Sequence, residues 1–440
     1  MKVAAKIFAA TALAIGFSIA APIDDIGALS VQGTQVVGAN GQPAQLRGMS
    51  YYWSHSHTAF PFYNANVVNW LAEDWHVNLV RAAMAFETNA WNQELDKNGY
   101  ISDPTGTIQQ AEAVIDAAIA KGIYVIIDLH THWANDNANG RWDKAADFFE
   151  YMATKYGNYP NVIYEVYNEP GTDTWTGPSD WNPIKPYLEF IIPKIRAIDP
   201  DNLIIAGTPA YSGNLSAVAS DPLTGTNAVN VAYAFHFYAS TDDHLNRLLP
   251  IAKSALNTIP IFISECGLTN ADGNGSLNYN SINQFWQWID EAKLSWAAWS
   301  LSNTAETSAA LQTSASTSGN WSESDLTPSG TWLRNKLREQ NPEWTPITGG
   351  GSGSGEVPPA ALSRPIASTS SFLFANNTVS VNLKGQSKVE LLDLQGRTVR
   401  TLWNGSANGS VSLSVSAQPG IYLVRIQGQG VTETHKVAVR

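Results

Sequence analysis

Glutamate occurs twice in the segment VIYEVYNEP, at Glu165 and Glu169, and again in IFISECG, at Glu265. Two carboxyl groups facing one cavity can divide the work of bond cleavage. One protonates a leaving oxygen while the other attacks the carbon or activates a water, the chemistry that cuts a glycosidic bond. Both segments are apolar, β-branched runs stopped by Pro170 or Gly267, so Glu169 and Glu265 stand at the ends of predicted strands. Glu165 lies deeper by about 13 Å at ~3.3 Å per residue. It is expected to be a buried, paired carboxylate beyond a substrate's reach.

Strand ends converge only if the strands close on one another. Eight short runs qualify: LRGMSYY (46–52), NLVRAAM (78–84), YVIIDLH (124–130), VIYEVYNE (162–169), LIIAGTP (203–209), VAYAFHFY (231–238), IFISE (261–265) and WAAWSL (296–301). Amphipathic stretches separate them, such as TIQQAEAVIDAAIAKG, which ends on a glycine cap signal. This alternation predicts a (β/α)8 TIM barrel, whose reactive groups collect at the C-terminal strand ends. An open doubly wound sheet is the alternative, but no strand leads into the Gly-rich phosphate loop often found there.

The N-terminus, residues 1–20, reads as a signal peptide: Lys2 and Lys6, a short apolar stretch, then the small residues Ser18 and Ala20. The barrel is assigned to residues 21–345 and a Gly/Ser/Pro linker to 346–362. Residues 363–440 alternate with period two between Gly, Asn and Pro breaks, the pattern of an antiparallel β-sandwich. From residue 360 onward eight Lys and Arg stand against three Asp and Glu, in a chain of net charge −12. Such asymmetry fits two separately built domains. The acidic balance argues against nucleic acid as a partner, and no later segment is apolar for long enough to span a membrane. Sixteen tryptophans supply core and leave planar rings for sugar faces, while the single Cys266 can form no internal disulfide.

Asn-Glu-Pro, His-x-Tyr and Ser-Glu-x-Gly at successive strand ends, with NLVRAAM, VIIDLHTHW and WAAWSLSN, resemble the cellulases of glycoside hydrolase family five from about Val31 to Asn341. That resemblance implies a secreted retaining endo-β-1,4-glucanase with no cofactor or metal, acting as a monomer on β-glucan. It makes Glu169 the acid/base and Glu265 the nucleophile. Asn168 would hold the sugar 2-hydroxyl, Arg81 and Tyr238 would hydrogen-bond Glu265, and His130 and His236 would line the cleft. Trp299, Glu306 and Trp133 would bind the sugar chain. An acid beside a charged nucleophile is expected to have its pKa pushed up, to ~6. Two positions depart from the family: Cys266 where Trp often follows the nucleophile, and Thr304 where Lys is common. Pleat alternation turns Cys266 away from the cavity.

Mannanase, lichenase and xyloglucanase are alternatives within the same fold. A non-catalytic carbohydrate-binding surface protein would need the rings but not the paired carboxylates. His130 and His132 could begin a metal-hydrolase site, yet the last strand lacks the aspartate such a site needs. In the tail, VELLDLQGRTVRTL, PGIYLVRIQGQG and HKVAV resemble the C-terminal sorting domains of the type-nine secretion system. That implies recognition by secretion machinery and a place outside the cell or on its surface. Its four aromatic residues, Phe372, Phe374, Trp403 and Tyr422, are expected to pack in the core rather than form a binding array.

Overall fold

The computed structural model describes residues 20–88, 95–171, 181–341, 372–375, 378–392, 397–415, 417–418, 420–428 and 431–439. The expected signal peptide, as far as residue 19, and the expected linker at 346–362 lie outside the described residues. The chain divides into two compact units, Met1–Ser354 and Gly355–Arg440.

In the first unit eight parallel strands close into a barrel: β1 (Arg47–Tyr51), β2 (Leu79–Ala85), β3 (Tyr124–His130), β4 (Val162–Glu165), β5 (Ile204–Ala206), β6 (Val231–Tyr238), β7 (Ile261–Gly267) and β8 (Trp296–Leu301). All eight expected runs appear, three of them with the bounds read from the sequence. Helices return the chain between strands, among them α1 (Ala65–Asp74), α2 (Pro104–Lys121) and α3 (Arg141–Tyr156). α2 shows why they begin and end where they do. Asp103 caps it by accepting from the Gly106 N–H at 2.9 Å, Pro104 opens it, and Gly122 closes it in the left-handed conformation at φ 70°.

Strand alternation sorts the side chains. Outward residues such as Val80, Val125, Ile127 and Phe235 pack under the helices. Inward residues near the strand starts, including Leu79, Ile126, Ile163, Ile205 and Phe262, make an apolar plug with Leu29, Val36 and Ala44 from the N-terminal segment. Trp75, Trp181, Trp286 and Trp296 are fully buried. At 150–250 Å² each, every one contributes on the order of 4–6 kcal/mol of apolar burial, which holds a barrel whose only thiol is unpaired.

The second unit is antiparallel, as its period-two pattern predicts. Its strands are β9 (Phe372–Ala375), β10 (Thr378–Leu392), β11 (Thr398–Ser414), β12 (Gly420–Gly428) and β13 (Val431–Val439). β11 borders the whole length of β10, whose other edge pairs first with β9 and then with β12. Alternate residues Val379, Val381, Leu383, Val389 and Leu391 form its core, with Trp403 and Tyr422 half-buried against it. The side chains of Phe372 and Phe374 lie outside the described residues. Among the described residues no helix is long and apolar enough to cross a membrane.

Candidate active site

Above the apolar plug the barrel interior turns polar. Arg81 from β2 is fully buried and is the hub. Its Nε donates to Glu165 Oε2 at 2.6 Å, Nη1 to Glu265 Oε2 at 2.9 Å and Nη2 to Asn168 Oδ1 at 2.7 Å. Nη2 also meets Asp128 Oδ2 at 2.9 Å. A buried guanidinium must be paired on every side, and three carboxylates, an amide and the Ser50 hydroxyl, which accepts from Nη1 at 3.1 Å, do so here. Their charges raise its pKa against the opposing effect of burial. Because Asn168 Oδ1 is taken by Arg81, its amide orientation is settled and Nδ2, buried and without a partner among the described residues, is left as a donor.

Glu265 reaches this layer through a bulge. Along β6 and β7, Ala234 pairs with Phe262 but His236 pairs with Glu265, so β7 carries one extra residue. Ser264 and Glu265, though adjacent, therefore both point inward. Ser264 contacts His236 and Glu165, while Glu265 takes the Arg81 ion pair and the Tyr238 hydroxyl, which donates to Oε1 at 2.6 Å. Cys266 then faces out into the core. Gly267 completes the motif by close approach: a Cβ there would stand 2.2 Å from the Tyr238 ring.

Glu169 lies past the end of β4, where its N–H donates to Thr131 O at 3.3 Å. Its carboxylate meets two histidines, His236 Nδ1 at 3.0 Å and His132 Nε2 at 3.4 Å. Glu165 reaches the other edge of the same imidazole, with Oε1 3.5 Å from Nε2. Glu165 is thus sealed from solvent, as expected, but it is one ring away from Glu169.

The expectation that Glu169 is pushed up to ~6 is corrected here. Burial does raise it, but the hydrogen bonds from His132 and His236 outweigh burial and bring it to about 2. Burial alone would lower His236, whereas its bonds to Glu165 and Glu169 lift it to about 9. Burial and the Glu169 charge raise Glu265, and His236, Arg81 and Tyr238 pull it back. The sequence reading named His132 and His236 but missed that both hydrogen-bond Glu169.

The remaining expected residues gather around this centre. His130 Nδ1 donates to Asp128 Oδ2 at 2.6 Å, and its ring lies parallel to Trp299 at 5.2 Å. Burial keeps it well below the usual histidine range. Trp299 is nearly buried on β8 against Ala83 and Tyr238. Glu306, beyond β8, accepts from Ser308 Oγ at 2.6 Å. Thr304 shares a 2.5 Å hydrogen bond with Thr58 and so ties the loop after β8 to the loop after β1. Trp133 is 44% exposed beside His132. Segment 135–140 is a surface turn, with Asp136 accepting from Ala138 N at 2.9 Å and paired to Arg141.

Several residues escaped the sequence reading. A cavity of about 390 Å³ opens beside Glu169 and His236 and is lined by Tyr211, His244 and Leu248. Tyr211, 41% exposed, meets His132 edge-on at 5.7 Å and sits in a run of three left-handed residues, Ala210, Tyr211 and Ser212. The residues Ala210, Tyr211 and Ser212 just past LIIAGTP were the available signal. Burial lowers His244 to about 4, and its Nδ1 accepts from the Tyr238 N–H at 2.9 Å. Trp53 lies edge-on to His130 at 4.1 Å and to His132 at 5.6 Å. Glu169, His236 and Glu265 each bring one ligand atom within 4.8 Å of the others, a set that could also hold a metal ion.

Residues 37–305 match the model of the cellulase family, glycosyl hydrolase family 5, and residues 375–440 match the secretion system C-terminal sorting domain. The chain is 38% identical over 317 residues to an endoglucanase of Clostridium saccharobutylicum, covering 72% of this chain and 66% of that protein. It is 42% identical over 280 residues to endoglucanase Z of Dickeya dadantii (strain 3937), covering 63% of this chain and 60% of the relative. The chain therefore spans under two thirds of either relative's length. Among solved structures, the catalytic domain of a Thermobifida fusca endoglucanase superposes with a TM-score of 0.63 at 32% identity, covering 72% of this chain and 99% of the other. A variant of that domain in complex with cellotetraose superposes equally well, with a TM-score of 0.63 at 31% identity, covering 72% and 99%.

Proposed function

The chain belongs to glycosyl hydrolase family 5, and on that premise we propose that it is a secreted endo-β-1,4-glucanase that cleaves by double displacement with retention. The observation that carries the reading is the pairing of Glu169 with Glu265, which have an oxygen each within 4.8 Å of the other. That separation suits a nucleophile and leaves no room for the water an inverting pair needs, ~6.5–9.5 Å.

Glu265 attacks the anomeric carbon, and the bond to the leaving oxygen breaks as that oxygen takes, through Glu169, the proton that Glu169 shares with His236. The glycosyl ester is then opened by water, whose proton returns to Glu169 while Glu265 is released. Arg81 and Tyr238 aim the attacking carboxylate, and the free Nδ2 of Asn168 is placed to donate to the sugar 2-hydroxyl. Trp299 supports the sugar on the non-reducing side of the cut. Tyr211 and Trp133 flank His132 where the departing chain lies. In this reading one chain is the working unit, since every residue invoked comes from one barrel.

β-1,4-Glucan is the substrate this reading names, supported by the endoglucanase names of the relatives and the cellotetraose complex. The sorting-domain match indicates type-nine export to the exterior or the cell surface. Reducing-end release measured on cellulose, lichenan, xyloglucan and mannan tests the substrate. Faster cleavage of mannan or xyloglucan than of β-1,4-glucan would replace the substrate and keep the mechanism.

A further inference from the structure

Four carboxyl groups, Asp128, Glu165, Glu169 and Glu265, converge around Arg81 and His236. Arg81 is the one permanent cation in that cluster. Glu169, His236 and Glu265 turn an oxygen, a nitrogen and an oxygen toward a common space, all within 4.8 Å of one another. The cavity beside Glu169 and His236 gives that space an entry from solvent.

The His236 ring is preset for ligation. Ser264 Oγ gives its hydrogen to Glu165 Oε1 at 2.5 Å and so must accept from His236 Nε2, 2.9 Å away. Nδ1, on the Glu169 side, is left as the ligating nitrogen, and an ion bound there displaces the proton it shares with Glu169. Metal-binding imidazoles are held in this way, with the far N–H fixed by a carboxylate behind it. Each Glu265 oxygen keeps a second lone pair beside its bond to Arg81 or Tyr238.

We propose that this centre binds one divalent transition-metal ion of the zinc or copper type through Glu169, His236 and Glu265, and that the bound ion inhibits the enzyme. The inhibitory part rests on the function proposed above; the binding part does not. Two oxygens, one imidazole nitrogen and an open side suit Zn²⁺ at ~2.0–2.2 Å. Calcium wants six to eight oxygens, and magnesium keeps an octahedron of oxygens and waters. Tetrahedral ligands ~2.1 Å from one ion stand ~3.4 Å apart, so a gap of up to 4.8 Å has to close by up to ~1.4 Å. Glu169 can supply that movement, because its side chain is 16% exposed at the cavity wall. His132, 3.4 Å from the Glu169 carboxylate, stands ready as a fourth ligand. An ion so held occupies the lone pairs of both reacting carboxylates.

The test is calorimetric titration of zinc chloride into the full, tag-free chain, with magnesium chloride as control and a thermal melt of every variant. The expected result is one Zn²⁺ per chain, suppressed by saturating cellobiose, with no response to magnesium. His236→Asn and Glu169→Gln should each weaken binding at least ~10-fold. Ser264→Ala, which touches no ion and changes little volume, should weaken it ~10-fold by freeing the ring, and it decides the matter if the other variants unfold. Absence of binding up to millimolar zinc, or binding unchanged in the folded variants, overturns the proposal. Zinc bound through these residues while β-glucan cleavage continues unchecked keeps the site but overturns the proposed inhibition and the catalytic roles of Glu169 and Glu265.

Discussion

His236 Nδ1 stands 3.0 Å from Glu169 Oε1, and one proton serves that contact. The opposite edge of the ring is committed to Ser264 and Glu165, so exchange is possible only toward Glu169. In the proposed mechanism, acid catalysis draws on that pair rather than on one carboxyl.

The pH profile should report that pair. Glu169 is held down to about 2 and His236 up to about 9, so the shared proton remains until the pH approaches about 9. The basic limb of kcat/KM on a soluble β-glucan is expected near that value, and His236→Asn should move it down. Stability follows the same sign. A histidine pKa raised above its unfolded ~6.5 stabilises fully below that pH, and the effect is lost as pH rises through about 9. Wild-type melting temperature should therefore fall across that window more steeply than that of His236→Asn. An unmoved basic limb in the variant would sink the shared-proton account.

Substitution should separate the three glutamates. Glu169→Ala and Glu265→Ala are each expected to cut turnover at least ~10³-fold while remaining folded, Glu265→Ala with a loss of stability as well because it takes a carboxylate from Arg81. Glu165→Gln removes one of three carboxylates from a buried guanidinium and should mainly cost stability, on the order of 3 kcal/mol in urea. A Glu165→Gln protein as stable as wild type and as inactive as Glu169→Ala would reverse the assignment.

The barrel was legible because its strands carry strong, simple signals: β-branched runs closed by Pro, Gly or a cap. The positions of Glu169 and Glu265 followed from where those runs stop. What strict alternation could not give was Ser264. A residue next to an inward glutamate should face out, and only the extra residue that β7 carries against β6 turns both inward. His132 and Tyr211 were hidden for another reason. Their roles depend on loop paths after strand ends, and on left-handed backbone at Tyr211 that tyrosine rarely adopts. The electrostatic error had the same root, since the two histidines that lower Glu169 come from different strand ends.

Tyr211 should act on the departing chain alone. Its exposed ring can stack on a sugar, a contact worth ~0.5–1.5 kcal/mol beyond area burial. Tyr211→Ala is expected to lower kcat/KM on polymeric β-glucan roughly 2- to 10-fold. Hydrolysis of a nitrophenyl cellobioside, whose leaving group does not extend that far, should hold within twofold. Equal losses on both substrates would place the ring's effect on Glu169 instead, through His132.

A chain ending at Pro346 should fold and keep its activity on soluble β-glucan, because the apolar clusters of the barrel are built from residues before that point. A several-fold loss on insoluble cellulose only would give the tail a binding role. A loss on both substrates would mean that the barrel needs its neighbour.

The product should keep the β configuration at the anomeric carbon. Glu169 and Glu265 bring oxygens within 4.8 Å, close to the ~5–5.5 Å of retaining pairs. Arg81 and Tyr238 bond both Glu265 oxygens at 2.9 and 2.6 Å, which fixes a nucleophile's direction. A base that had to take a proton from water would be poorly served by the same two donors. Glu265→Ala empties the space beneath the ring while leaving Arg81 to attract a small anion. Azide or formate added to that variant should partly restore cleavage of an activated β-glycoside and give an α product. Proton NMR in the first minutes of wild-type hydrolysis reads the main point, with a β-anomer signal expected first. An initial α signal from a β-glucan would mean that water attacks directly and that Glu265 is not the nucleophile.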